Sequence, residues 1–224
     1  MPARGLVELR RECFTRTMSV PDERPRSEVP VVPVPARPSE LRPLLRLARE
    51  AVEATVLGRA LPSWSLDPLP LAWTEERGSF VTLSIRGDLR GCMGNVFPAG
   101  PLVRRVIHNA RSAAAEDPRF PPVTPNELGG IHVELSVLTI PKPLPFPSPT
   151  ALVSKLRAQP DGVVLQLGRF VATFLPQVWE KFPEPEEFLG RLAEKAGCRR
   201  EAWREPEVLV MTYQVERFDE DSPG

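Results

Sequence analysis

Leu89-Arg90-Gly91-Cys92-Met93-Gly94 holds the side chains best suited to chemistry in this sequence. A thiol stands between two glycines, with an arginine two positions before it. A nearby guanidinium favours the thiolate, which is the nucleophilic form, and can also hold an anion. Glycines let a backbone approach a ligand closely or adopt positive φ. On a regular strand Arg90 and Cys92 share one face. The competing reading is a small buried cysteine beside a hairpin bend, because free cysteine is among the most buried residue types.

Asp117-Pro118-Arg119-Phe120-Pro121-Pro122 is the second candidate. It offers a carboxylate and a guanidinium at a rigid turn, either as a ligand-holding pair or as an ion pair that locks the turn. Glu134 and Ser136 occupy the polar side of an alternating stretch, and His132 shares that side within pairing reach of Glu134. His108 faces away from an apolar helical stripe and reads as exposed. Cys198 follows Gly197 and reads as packed on the preceding helix. Trp64, Trp73, Trp179 and Trp203 lie near proline-rich loops or element ends, and they read as packing over core edges rather than as a base-stacking platform. No CxxC, HExxH, GxGxxG or P-loop motif occurs.

These residues need elements to position them. Leu41, Leu44, Leu45, Ala48, Val52 and Val56 recur at helical spacing, with Pro43 in the first turn and Gly58 as the stop. Residues 79–85 alternate as a strand. Arg86-Gly87-Asp88 turns into a second strand from Leu89 that runs through Cys92. Gly100-Pro101 opens a helix that ends before Asp117-Pro118, because the residue before proline avoids helical angles. Residues 131–139 alternate again, and proline at every second position makes 141–149 an extended loop. A short helix near 151–158, a hairpin over 162–174, a helix over 186–196 stopped by Gly197, and a last strand over 208–215 complete the pattern. Hairpins interspersed with helices predict α+β architecture with antiparallel sheets and flanking helices, not a doubly wound sheet.

Composition sets the outer limits. The chain has 224 residues, 29 Lys+Arg and 29 Asp+Glu, so bulk charge argues against a strongly basic nucleic-acid binder. Three cysteines exclude a disulfide scaffold and a four-thiolate zinc site, and two histidines argue against a histidine-rich metal centre. No metal or other cofactor is expected. Arginine supplies 25 of the basic residues and lysine four, which reads as codon bias toward GC. No apolar run approaches the length of a membrane span, and charges interrupt the N-terminus where a signal peptide needs its apolar centre. A cytoplasmic, reducing location with free thiols follows as the expectation. Residues 1–38 read as a disordered, proline-rich extension, in which Met18 is an alternative start that would leave Cys13 in a leader. Residues 219–224 read as a disordered tail.

One run of motifs appears in order: LRGCMG, NAxxAAxxDPRFPPV (Asn109–Val123), ELSVLT (Glu134–Thr139), DGVV, FLPQVW (Phe174–Trp179), EEFL and KAG (Lys195–Gly197). It resembles the AMMECR-type domain, also called AmmeMemoRadiSam system protein A, over residues 39–218. The resemblance implies one compact α+β unit with a larger and a smaller subdomain around antiparallel sheets. It also implies partnership with a Memo-like protein and a radical SAM enzyme, and a nucleotide, RNA or peptide ligand. Met93 stands where such proteins usually have isoleucine. Arg169-Phe170-Val171-Ala172 stands where relatives often have a basic pair and a glycine, which weakens an anion-binding role for that strand.

Under the enzymatic reading Cys92, Asp117 and Glu134 are the catalytic candidates. Arg90, Gly91, Gly94 and Arg119 are the substrate-binding candidates. The alternative is a non-catalytic binding or scaffold module for the same partners.

Overall fold

The computed structural model describes residues 38–63, 70–158 and 161–221. The N-terminal extension with Cys13, and Trp64, lie outside the described residues. In chain order the first half contains α1 (Pro38–Leu41), α2 (Pro43–Val56), α3 (Leu71–Thr74), β1 (Ser79–Ile85), β2 (Asp88–Asn95), α4 (Leu102–Ala115) and β3 (Ile131–Leu138). The second half contains β4 (Lys142–Pro143), α5 (Pro149–Ala158), β5 (Gly162–Leu167), β6 (Phe170–Phe174), α6 (Val178–Lys181), α7 (Pro185–Lys195), β7 (Leu209–Tyr213) and β8 (Val215–Asp219).

Two antiparallel four-stranded sheets form, in the orders β2-β1-β3-β8 and β4-β7-β5-β6. Arg86 and Gly87 both take positive φ and close the β1–β2 hairpin, as its right-handed twist requires. Alternation along the first sheet buries Val81, Leu83, Val133, Leu135 and Val137 against α2 and α4. Thr82, Glu134 and Ser136 are left on the opposite face. The second sheet packs Val163 and Leu165 against Leu152 and Leu156 of α5 and Phe188, Leu189 and Leu192 of α7. A third cluster joins the sheets: Val96, Leu138, Val164 and Tyr213, with Phe80, Val171, Met211 and Val215 at its margin. The fold is therefore α+β with antiparallel sheets and flanking helices, as the pattern predicts.

Two expectations about the last strand change. The run over 208–215 is two strands in different sheets, because the chain crosses over at Gln214. There Thr139 N–H donates to the Gln214 carbonyl at 3.0 Å and Gln214 N–H donates to Thr139 Oγ1 at 2.9 Å. No breaker residue marks that crossing in the sequence. The ordered chain also continues past residue 218: Asp219 closes β8, and the Glu220 carboxylate accepts from Val133 N–H at 2.9 Å and from the Arg49 guanidinium. No helix among the described residues is long and apolar enough to cross a membrane.

Candidate functional site

The site is built on a sheet edge. β2 pairs only with β1, so alternate backbone groups of β2 point outward without a strand to receive them. At Cys92 those groups are met by the turn after α4. Cys92 N–H donates to Asp117 Oδ2 at 2.8 Å, and Arg119 Nη2 donates to the Cys92 carbonyl at 3.1 Å. Arg119 also gives Asp117 its backbone N–H at 3.0 Å, Nε at 2.9 Å and Nη2 at 2.6 Å. The Asp117–Arg119 pair thus stands in for a missing strand. It reaches this place because α4 runs back over the sheet and brings the Ala113 carbonyl against Gly91.

Asp117 is 4% exposed. Burial alone would raise its pKa. The hydrogen bonds from the Arg119 side chain and from the Cys92 and Arg119 amides outweigh burial and hold the carboxyl below its ordinary value. At neutral pH it is an ionised anchor.

Arg90, Gly91 and Gly94 also take roles other than the expected ligand binding. Arg90 donates through Nε to Glu127 Oε1 at 2.7 Å, through Nη1 to the Pro121 carbonyl at 2.9 Å, and through Nη2 to Glu127 Oε2 at 3.2 Å. Its fork ties β2 to the 117–127 loop. Arg90 and Arg119 stand 6.0 and 5.6 Å from the Phe120 ring centroid. A Cβ on Gly91 would lie 2.3 Å from the Ala113 carbonyl oxygen, and one on Gly94 would lie 2.3 Å from the Phe80 ring. Both glycines permit close packing, of helix on strand and of ring on strand, and neither has positive φ.

The Arg90–Glu127 lock is open to a pH test. The Arg90 hydrogen bond, helped by two from Thr124, lowers the Glu127 pKa to about 2, against an ordinary value of about 4.3. The folded value is the lower one. Its stabilisation is therefore complete above about pH 4.3 and is lost as pH falls toward about 2. Urea midpoints of the native protein and Glu127→Gln should differ at neutral pH and converge across that window. A gap unchanged down to about pH 2 would show that the charge is not what Arg90 uses.

The Cys92 thiol lies on the face of the first sheet away from α2 and α4. Thr82, directly opposite on β1, brings Oγ1 to 3.4 Å from the sulfur. The Arg119 guanidinium is within electrostatic reach of the thiol. Glu134 extends the row Cys92–Thr82–Glu134, two strands or about 10 Å across. Its carboxylate is bound to Arg217 and sits 3.5 Å from Ser136 Oγ. The structure therefore brings Cys92, Asp117 and Arg119 into contact and leaves Glu134 on the same face at a distance. His132 does not pair with Glu134. Its Nδ1 lies 3.5 Å from Asp221 Oδ2, and with Asp219 these two form a group of potential ligand atoms within 4.8 Å of one another, which holds acids common on any exposed surface. Cys198 packs on the second core as expected, with burial and then Glu205 pushing its thiol up.

Lys195 is the residue the sequence reading passed over. It ends α7 in the second lobe, donates to the Thr173 carbonyl at 2.9 Å and stands 5.0 Å from the Phe174 ring. Val171 of β6 packs on the same third cluster as Phe80, which lies opposite Gly94, two residues along β2 from Cys92. The ammonium thus comes within electrostatic reach of both Cys92 and Arg119. Burial pushes its pKa down, with Cys92 opposing the shift and Arg119 adding to it. Lys195 is exposed to solvent. Two signals pointed to it: the KAG run, and its being one of only four lysines in an arginine-rich chain.

The AMMECR1 family model matches residues 45–218. The chain belongs to the AMMECR1 family. It is similar to a protein of Methanothermobacter thermautotrophicus, 41% identical over 84% of this chain and 97% of that one, and to a protein of Thermofilum pendens, 39% identical over 80% and 89%. Among solved structures it is similar to the uncharacterized protein PH0010 from Pyrococcus horikoshii, with a TM-score of 0.75 and 34% identity over 83% of this chain and 93% of that chain. Other AMMECR1-type motifs in this chain have structural work. Asn109 is buried and donates to the Ser79 carbonyl at 3.0 Å and to Asn95 Oδ1 at 3.1 Å, tying α4 to β1 and β2. Trp179 stacks on Phe188 with centroids 3.7 Å apart. Arg169, in the variant stretch, lies over Phe170 and lines a groove of about 550 Å³ beside Cys198 that does not include Cys92.

Proposed function

We propose that this AMMECR1-family protein uses Cys92 as a reacting thiol on the open face of its first sheet. It works with a Memo-like protein and a radical SAM enzyme to modify a nucleotide, RNA or peptide substrate. The single observation that carries the reading is a half-buried free thiol on the open face of the sheet, its backbone held on both sides by the Asp117–Arg119 ion pair. The thiolate form of Cys92 is the nucleophile toward an electrophilic substrate. Asp117 acts as a positioning residue by holding the Cys92 backbone, and proton transfer falls to Lys195 or, along the sheet face, to Glu134. The run of motifs resembling AmmeMemoRadiSam system protein A supports the partners. Cys92 and Cys198 are both free thiols, which suits a cytoplasmic setting.

The non-catalytic module is favoured by a different observation: Arg90, Gly91 and Gly94 all serve packing. Metabolite and RNA-modification profiles of a deletion strain, complemented with the native gene or with Cys92→Ser, separate the two. Under the thiol reading Cys92→Ser leaves the deletion profile intact. Full restoration by Cys92→Ser would leave the binding module standing.

A further inference from the structure

We propose that Thr82 is the positioning residue of the Cys92 thiol: its hydroxyl donates to the sulfur, fixes the direction the sulfur faces and favours the ionised form. The proposal rests on the thiol reading above and adds the group that controls the thiol. The strand register makes the contact. Cys92 N–H and C=O point off the sheet edge, to Asp117 and Arg119, so Thr82 and Cys92 form a non-hydrogen-bonded pair of β1 and β2. In such a pair the Cα atoms stand only about 4.5 Å apart and the side chains meet. Thr82 Oγ1 accordingly lies 3.4 Å from Cys92 Sγ, and among the described residues the sulfur is the partner of that hydroxyl. Both side chains are half-buried on the open face. Each end of the contact is rigid. β1 is paired on both sides, by β2 and β3, and the threonine side chain is β-branched, which leaves it few rotamers. The Cys92 backbone is held at both its N–H and its carbonyl. A hydroxyl donates well to a thiolate, whereas a neutral thiol is a weak donor and a weak acceptor, so the contact is stronger for ionised sulfur. A valine at this place would serve the strand as well, because it has the same branched shape and β preference. The hydroxyl is what the sulfur uses.

The test is the pH profile of iodoacetamide alkylation at Cys92 in the folded protein, read by peptide mapping, with Cys198 in the same samples as the internal reference. In Thr82→Val the rising limb should move up by about one pH unit. At a fixed pH on that limb Cys92 then reacts about tenfold more slowly, the lower end of what one hydrogen bond to a charged group supplies. Thr82→Ser keeps the hydroxyl and should restore the native profile, and Cys198 should keep its native rate in both variants. A Thr82→Val profile that superimposes on the native one, or a Thr82→Ser profile displaced as far as the valine one, overturns the positioning role and leaves the thiol reading in place. Early reaction of Cys198 in Thr82→Val would mean that valine loosens the fold; Thr82→Ala is then measured, and the same two outcomes decide. Inertness of Cys92 in the folded native protein removes the thiol reading, and the positioning role with it.

Discussion

Gly91→Ala should destabilise the protein by about 3 kcal/mol, the upper end of ordinary overpacking costs. The added methyl would stand 2.3 Å from the Ala113 carbonyl oxygen and 3.3 Å from its carbon. Both atoms are helix backbone, so no rotamer change relieves the clash. α4 must lift from β2 or β2 must bend. Either movement disturbs the Asp117 turn a few residues beyond Ala113, so the Cys92 site moves as well. Gly129→Ala is the control, because its Cβ would meet nothing within 4 Å. Urea midpoints at constant m should fall steeply for the first variant and barely for the second. A Gly91→Ala variant within about 1 kcal/mol of the native protein would mean that helix and strand are not in close contact there.

Asp117→Ala should cost about 2–4 kcal/mol, as expected for removing one partner of a largely buried, hydrogen-bonded charge pair whose other member still reaches water. The deletion orphans the Cys92 N–H and takes three hydrogen bonds from Arg119. On the edge of β2 at Cys92 only the carbonyl then keeps a partner, Arg119. If the two residues act as one device, Arg119→Met in the Asp117→Ala background should cost much less than Arg119→Met alone. Additive losses would mean that the carboxylate and the guanidinium serve separate purposes.

Much of the fold was legible because one face of each sheet and helix is buried, and burial writes its period into the sequence. Val81, Leu83, Val133 and Leu135 alternate because α2 and α4 cover one side of β1 and β3. The crossing at Gln214 was not legible: alternation says which face is buried, not which sheet a strand joins. At the site, the sequence pointed to segments that meet in the structure, but not to the partners each residue finds there. Cys92, Asp117 and Arg119 meet, but Gly91 and Gly94 answer to Ala113 and Phe80, and Arg90 answers to Glu127. Such pairings depend on how α4 folds back, which no local spacing encodes. Lys195 was hidden for the same reason, since it lies about a hundred residues from Cys92 in sequence and reaches it only through lobe packing.

The central claim is that Cys92 is a reacting thiol and not a packing residue, and alkylation of the folded protein tests it most directly. Native protein is treated with iodoacetamide at neutral pH, and Cys92 and Cys198 are followed separately by mass spectrometry. Cys92 should be modified first and well ahead of Cys198, whose thiol burial disfavours ionisation. Cys92→Ser should unfold within about 1 kcal/mol of the native protein, because a hydroxyl at that position keeps access to solvent and to Thr82. A Cys92 that stays unmodified until the chain unfolds, together with a serine variant weakened by about 1–3 kcal/mol, would contradict the account and identify the thiol as part of the packing.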